Sequence, residues 1–235
     1  MKRFYREVTV APAGEGWRVL LDGRGIKTGG GRDQIVPSRP LAEAMAQEWS
    51  QQGDELDTAA FIFRDLADYA IDIVALDRDG AIRCLLPYAE TDTLCYRAED
   101  GEALHERQAE VWAPLLAAAE ARWDVQFNCI EGIIHQPQPT ETMERMRAVL
   151  SSQEGFTLAA LNTLTSLAAS LVIGLAALLP NSKAEDLWDA ANLEEDWQAE
   201  LWGKDADAEA LRARRLKTFT AAMRFAQLAR EDAAA

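Results

Sequence analysis

Hydrophobic and polar residues alternate in two short stretches near the amino terminus, and apolar residues then recur every three or four positions along most of the remaining chain. The alternating stretches, 4–10 and 17–21, read as strands joined by the Ala-Gly-Glu-Gly loop, and Asp22-Gly23 supplies a turn before a third extended piece at 26–28. Gly29-Gly30-Gly31 with Asp33 forms another turn before 34–37, which completes a small antiparallel sheet. Ser38 followed by Pro40 has the form of a helix start, and Leu41, Met45, Glu48 and Trp49 give that helix its amphipathic pattern up to about Gly53. A second helix is expected over 62–78, with Leu66, Tyr69, Ala70, Ile73 and Val74 on one side and Asp79-Gly80 as its end.

From about residue 82 the period is helical. Leu104, Gln108, Val111, Leu115 and Ala119 share a face, and Pro114 predicts a kink or restart. The exception is 125–135, VQFNCIEGIIH, which reads as one strand or a short hairpin able to return to the amino-terminal sheet. Further helices are expected over 140–151, 156–179, 183–202 and 206–230, with Ser182 and Glu185 as a capping box for the third of them. The closing EDAAA reads as disordered. The fold class is therefore α+β: a small antiparallel β-containing domain with one or two helices over 1–81, then a larger, mostly α-helical bundle domain over 82–235.

Segment 156–179 lies in a stretch free of charge between Glu154 and Lys183, but Asn162, Thr163, Thr165, Ser166 and Ser170 interrupt it. It reads as a buried bundle helix rather than an integral membrane segment. The 24 Lys and Arg residues face 39 Asp and Glu, a formal charge of -15, which excludes a partner recognised through its phosphate backbone, so no nucleic acid is expected. Cys84, Cys95 and Cys129 are odd in number and widely spaced, as in a reducing compartment. MKRFYREVTV lacks the features of a secretion signal or organelle presequence, so a cytoplasmic location is expected.

Candidate chemistry is sparse. GRGIKTGGG departs from the phosphate-loop pattern and falls in a hairpin, so a solvated turn is the better reading. His105 and His135 do not form a recognisable dyad, and Cys95 in ETDTLCYRAED reads as a small buried hydrophobe. Asp65, Asp68 and Asp72 follow helical steps, more in the manner of a wet face than of a metal site. No catalytic residues, cofactor site or metal site are expected.

The unusual segment is 186–203, DLWDAANLEEDWQAELWG, with three of the seven tryptophans. On one continuous helix Trp188, Ala191, Glu195, Gln198 and Trp202 share a face, and Leu187, Ala190, Glu194, Trp197 and Leu201 form the adjacent stripe. A carboxylate among tryptophans calls for a local cation or a binding role, unless it sits at the solvent edge.

RFYREVTV, LDGRGIKT, QEWSQQG, YAETDTLCYRAED, RQAEVWAPLL and LEEDWQAELWGKDAD occur in that order between Arg3 and about Phe225, and together they resemble the ATP synthase alpha-subunit assembly chaperone family in its bacterial form. The resemblance implies a non-enzymatic, ATP-independent chaperone that binds free alpha subunit of the F-type ATP synthase catalytic head and prevents its aggregation before assembly with beta. It implies a functional role for Glu195, with Glu194 replacing the usual aspartate and Trp197, Gln198, Trp202 and Gly203 in place. Arg107, Gln108 and Trp112 match a second family segment, and Arg97 a third. With Trp188, the expected partner-binding set is Glu195, Glu194, Trp197, Gln198, Trp202, Trp188, Arg107 and Trp112. Gly25 and Gly29 stand where proline is usual, Ala169 where glycine is common, and Lys204 where an acid is usual. The high negative charge predicts a monomer when free. An enzyme with an unrecognised site, and a scaffold or regulator retained on the mature synthase, remain as alternatives.

Overall fold

The computed structural model describes residues 1–132 and 134–231. The described residues fall into two compact units, one from Met1–Ala81, Glu154–Ala160 and 221–231, the other from 82–132, 134–153 and Leu161–Thr220. Of the closing EDAAA, residues 232–235 lie outside the described residues. The fold is α+β, as the hydrophobic pattern predicts.

In the first unit, β1 (Val8–Ala13), β2 (Gly16–Leu21) and β3 (Arg24–Gly25) make an antiparallel sheet in that order. Asp22 at φ 47° and Gly23 at φ 76° connect Leu21 to its partner Arg24. Two successive positive φ angles match the twist of the flanking strands, which is why an Asp-Gly pair serves here. The first strand starts at Val8 rather than residue 4. The Arg6 and Glu7 N–H groups donate to the Asp22 carboxylate, at 3.0 and 2.8 Å, in place of a strand neighbour. Further along, Val36 and Trp17 exchange backbone hydrogen bonds of 2.8 and 2.9 Å, which carries 34–37 back to the sheet.

Helix α1 (Arg39–Ser50) begins where its cap allows: the Ser38 hydroxyl accepts from the Leu41 N–H at 3.1 Å and donates to the Leu228 carbonyl at 2.6 Å. Leu41, Ala42, Met45 and Trp49 are buried along it. Helix α2 (Ile62–Tyr69) passes into a π turn, Ala70–Val74. The wider turn breaks the phase of the expected stripe: Leu66, Ala70 and Val74 are buried while Ile73 is 51% exposed. Asp79-Gly80 does not end a helix. It lies in the first turn of α3 (Arg78–Leu85), where the Asp77 carboxylate accepts from the Gly80 N–H at 2.7 Å.

The chain continues through α4 (Pro87–Glu90), β4 (Tyr96–Arg97), α5 (Ala103–Trp123), β5 (Ile130–Glu131), α6 (Thr140–Ser151) and α7 (Gly155–Ala168). It closes with α8 (Leu171–Ala176), α9 (Ala184–Ala191), α10 (Leu193–Trp202) and α11 (Ala206–Arg230). Segment 125–135 contributes only β5, which pairs in parallel with β4 of the same unit and not with the amino-terminal sheet; Ile133 lies outside the described residues. Pro114 causes no restart, because it sits on the exposed side of α5, where water can reach the carbonyl that loses its donor.

The helix expected over 156–179 is two helices. Ala169 takes φ 48°, and Ser170 caps α8 by accepting from the Ile173 N–H at 3.0 Å. Asp92, fully buried, secures the break: its carboxylate accepts from the Leu94 N–H at 3.1 Å and the Val172 N–H at 3.0 Å. Burial pushes its pKa up to about 6 against the pull of those donors. The expected helix over 183–202 also breaks, at Asn192, into α9 and α10. Lys183, not Ser182, occupies the cap position of α9, because the Ser182 hydroxyl donates backward to the Ala176 carbonyl at 2.7 Å. Among the described residues no helix is long and apolar enough to cross a membrane.

Candidate functional site

The break at Asn192 decides how the acidic, tryptophan-rich segment is presented. Trp188 on α9 is fully buried, whereas Glu195, Gln198 and Trp202 on α10 are exposed, so the single face expected of a continuous helix becomes two. Only Leu193 of α10 is buried. Gly203, at φ 95°, ends α10 in a conformation that a side chain would strain.

Contacts from α5 hold the end of α9 and the length of α10. The Trp112 indole N–H, fully buried, donates to the Ala190 carbonyl at 2.7 Å, just before the break. The Gln108 amide donates to Glu194 at 2.6 Å while its oxygen accepts from the Ala98 N–H at 2.8 Å. Arg107 forms two parallel bonds to Glu200, at 2.8 and 2.9 Å, and lies 5.6 Å from the centre of the Trp197 ring. Arg97 donates to the Gln108 carbonyl at 2.9 Å and sits 5.0 Å over Trp112. Burial raises the Glu194 pKa, and the neighbouring Glu195 charge adds to the rise. Trp112, Trp188, Gln108 and Glu194 thus orient the helix from within.

Two cations close to the segment, Arg212 and Lys204, are already matched. Arg212 on α11 bridges Asp189 at 2.9 Å and Asp196 at 2.7 Å, tying α9 to α10 across Asn192. Lys204, the departure from the family pattern, pairs with Glu209 at 2.9 Å. Among the described residues Glu195 has no hydrogen bond or ion pair, although Lys204, Arg212 and Arg215 line the same groove, so its carboxylate is exposed to solvent with cations nearby. This groove, of about 410 Å³, lies between α10 and the start of α11, and in it Ala199, Ala208, Leu211 and Leu216 alternate with the charged residues. Leu201, Trp202 and Leu211 are 58, 78 and 42% exposed; Trp202 is two turns along α10 on the Glu195 face, and Leu211 lines the same groove as Glu195. Sequence reasoning missed Glu200, Arg212 and Leu211. Arg107 and Glu200 are 93 positions apart, so no local period reveals the pair.

Other candidates resolve differently. Asp68 and Asp72 are not a wet face: Asp68 accepts from the Gly29 N–H at 3.1 Å and from the Gln34 amide, and Asp72 from the Gly30 N–H at 2.7 Å and the Thr28 hydroxyl at 2.9 Å. Arg32 also pairs with Asp72 at 2.9 Å. The glycine N–H groups that could cradle a phosphate are therefore occupied by the protein's own carboxylates. Asp65 pairs with Arg64 at 2.5 Å. His105 lies 3.1 Å from the Ala98 carbonyl and His135 3.0 Å from the Tyr96 hydroxyl, and no three metal-ligating side chains cluster among the described residues.

Residues 2–120 match the family model described as ATP12 chaperone protein. The chain is 28% identical over 219 residues to the mitochondrial protein atp12 of Schizosaccharomyces pombe, covering 88% of this chain and 75% of that one. The solved structures of Paracoccus denitrificans Atp12 and of its aspartate-to-lysine mutant are each 35% identical with TM-score 0.91, covering 97% of this chain and 98% of theirs.

Proposed function

This chain belongs to the ATP12 chaperone family, and on that premise we propose that it is an ATP-independent, non-enzymatic assembly chaperone for the F-type ATP synthase, acting in the cytoplasm on the free alpha subunit. The alpha subunit as client follows from the resemblance carried by LEEDWQAELWGKDAD and the five segments before it. The observation that supports a binding role for this surface is the exposed, unpaired Glu195 carboxylate on the α10 face that also carries the exposed Trp202, with Leu211 lining the same groove.

Such a surface suits a client that exposes apolar groups with a cation among them. Aromatic and leucine side chains supply contact area, and the carboxylate gains an ion pair as water leaves. Glu195, Gln198 and Trp202 are the contact residues in this reading, with Trp197 and Arg107 at the border. Trp112, Trp188 and Glu194 fix the helix that presents them. The net charge of -15 keeps the free protein in solution and monomeric despite the apolar patch.

The test is aggregation of isolated alpha subunit, followed by light scattering with and without this protein. Suppression at near-stoichiometric amounts without nucleotide, and a complex of the two chains on a sizing column, are the expected results. A requirement for ATP hydrolysis, or failure to capture alpha, would overturn the proposal.

A further inference from the structure

The second unit contains a pair of cysteines that the chaperone reading leaves without a task. Cys95 immediately precedes β4 and Cys129 immediately precedes β5. The two strands are paired in parallel with Tyr96 opposite Ile130, so the cysteines occupy corresponding positions on neighbouring strands. Cys95 is fully buried and Cys129 is exposed. Arg97, two positions beyond Cys95 and bonded to the Gln108 carbonyl, brings its positive charge to bear on Cys129. One thiol thus faces solvent beside a cation, with the second directly behind it.

We infer that Cys95 and Cys129 form a peroxide-oxidisable dithiol, with Cys129 as the thiol attacked first and Cys95 as the resolving thiol that closes an intramolecular disulfide. In the first step the Cys129 thiolate attacks one oxygen of a hydroperoxide. The O–O bond breaks, the sulfur loses two electrons to become a sulfenic acid, and the departing oxygen takes a proton and leaves as water or an alcohol. In the second step the Cys95 sulfur attacks the Cys129 sulfur. The S–S bond forms as the S–O bond breaks, and the released hydroxide combines with the Cys95 proton as water.

The surroundings divide these roles. The Cys129 pKa is lowered to about 6, first by the neighbouring Cys95 thiol and then, against burial, by the Arg97 charge, which favours its thiolate. The Cys95 thiol is pushed the other way, first by Cys129 beside it, then by burial and by the Asp92 carboxylate. Oxidation of Cys129 removes the thiolate charge that opposes ionisation of Cys95, which frees Cys95 to resolve. The disulfide would close a loop containing the whole of α5, the helix that carries Arg107, Gln108 and Trp112.

Full-length protein treated with stoichiometric hydrogen peroxide, alkylated and digested, tests the assignment by mass. The expected product is a linked peptide joining Cys95 to Cys129, reversed by dithiothreitol and formed equally in Cys84→Ser. In Cys95→Ala, Cys129 keeps Arg97 but loses the influence of Cys95, so it should be oxidised more slowly, and the sulfenic acid it forms should persist and be trapped by dimedone. If that variant fails to fold, alkylation of the wild-type chain supplies the second measurement: at pH 6 Cys129 should react about tenfold faster than free cysteine, the gain in thiolate outweighing its lower nucleophilicity. A disulfide through Cys84, a dimer linked through Cys129, or a Cys129 that is oxidised and alkylated no faster than free cysteine would overturn it.

Discussion

Two glutamates of this protein stand in aromatic or aliphatic stripes and have opposite fates. Glu48 follows Met45 on α1, beside Trp49; Glu195 opens α10 below Trp202. Glu48 is drawn inward and accepts from the Phe63 and Arg64 N–H groups, at 2.7 and 3.0 Å, at the start of α2. It serves as a helix cap supplied from another helix, meeting backbone donors that the first turn cannot satisfy. Burial raises its pKa, and those two N–H groups oppose the rise. Glu195 has no such donor and stays in water. The pattern around a carboxylate therefore does not tell whether it holds the fold or is available to a partner. The nearest unsatisfied donor decides.

Crossed substitutions sharpen that contrast most. Glu195→Lys should leave the circular dichroism spectrum unchanged and lower stability by less than about 1 kcal/mol, through loss of an acid in the first turn of a helix. Against a cationic group on the client it replaces attraction by repulsion, so alpha-subunit capture should weaken by several kcal/mol. Glu48→Ala should do the reverse: roughly 2–3 kcal/mol of stability lost as two backbone donors go unpaired, with capture by the folded fraction unchanged. Thermal melts and pull-downs on both variants check this. A Glu195→Lys protein that still captures alpha normally would remove Glu195 from the interface, and one that unfolds would assign it to the fold.

Asp92 extends the comparison to a carboxylate with donors but no water. Its folded pKa of about 6 lies above the usual 3.8, so the folded protein binds this proton more tightly than the unfolded chain does. The resulting stability is fully present below 3.8 and is lost as pH rises through about 6. The shift amounts to roughly 3 kcal/mol by linkage. Melting temperatures of the wild type should therefore fall between pH 4 and pH 7 relative to those of Asp92→Asn, which keeps an acceptor but cannot ionise. Parallel pH profiles would show that Asp92 does not carry the effect.

The local parts of this fold were legible where a residue acts on its own neighbours. Asp22-Gly23, Ser38 with Pro40, and the start of α11 all follow from backbone preferences that a short window contains. What the window does not contain is a carboxylate arriving from elsewhere. Asp68 and Asp72 take up the glycine turn about 40 positions before them, so helical spacing alone suggested a solvated face. The two helix breaks failed to show for a related reason: Ala169 and Asn192 are unremarkable in a helix, and the grip on the first break comes from Asp92 and Thr93. At the candidate site the exposed glutamate and tryptophan were legible from the family motif. The bridges from Arg107 and Arg212 needed the fold.

A smaller test concerns the glycine turn. Gly29 and Gly25 replace the family's prolines and neither has a positive φ, so proline is compatible with the backbone sign at both. At Gly29, however, the N–H donates to Asp68, and proline has no N–H. Gly29→Pro should therefore lose about 1 kcal/mol of stability rather than gain the usual fraction from a stiffer unfolded chain. A higher melting temperature would show that the Asp68 bond contributes little and that the turn is held by Asp72.

The smallest effect is expected at Ala169, and it separates local strain from the distant donors. Its φ of 48° lies in the left-handed region, which for a residue with a Cβ costs about 1–2 kcal/mol. The residue is exposed, so its methyl group packs against little that would offset the cost. Its carbonyl accepts from the Thr93 N–H at 3.2 Å and the Thr93 hydroxyl at 2.9 Å, contacts that fix the backbone here whichever side chain is present. Ala169→Gly, the residue common in the family, should relieve the strain at the expense of a more flexible unfolded chain, for a net gain of about 0.5 kcal/mol. Urea unfolding would register it as a slightly higher midpoint with an unchanged slope. A lower midpoint would mean that the break between α7 and α8 is imposed wholly by Asp92 and Thr93, with no strain for glycine to release.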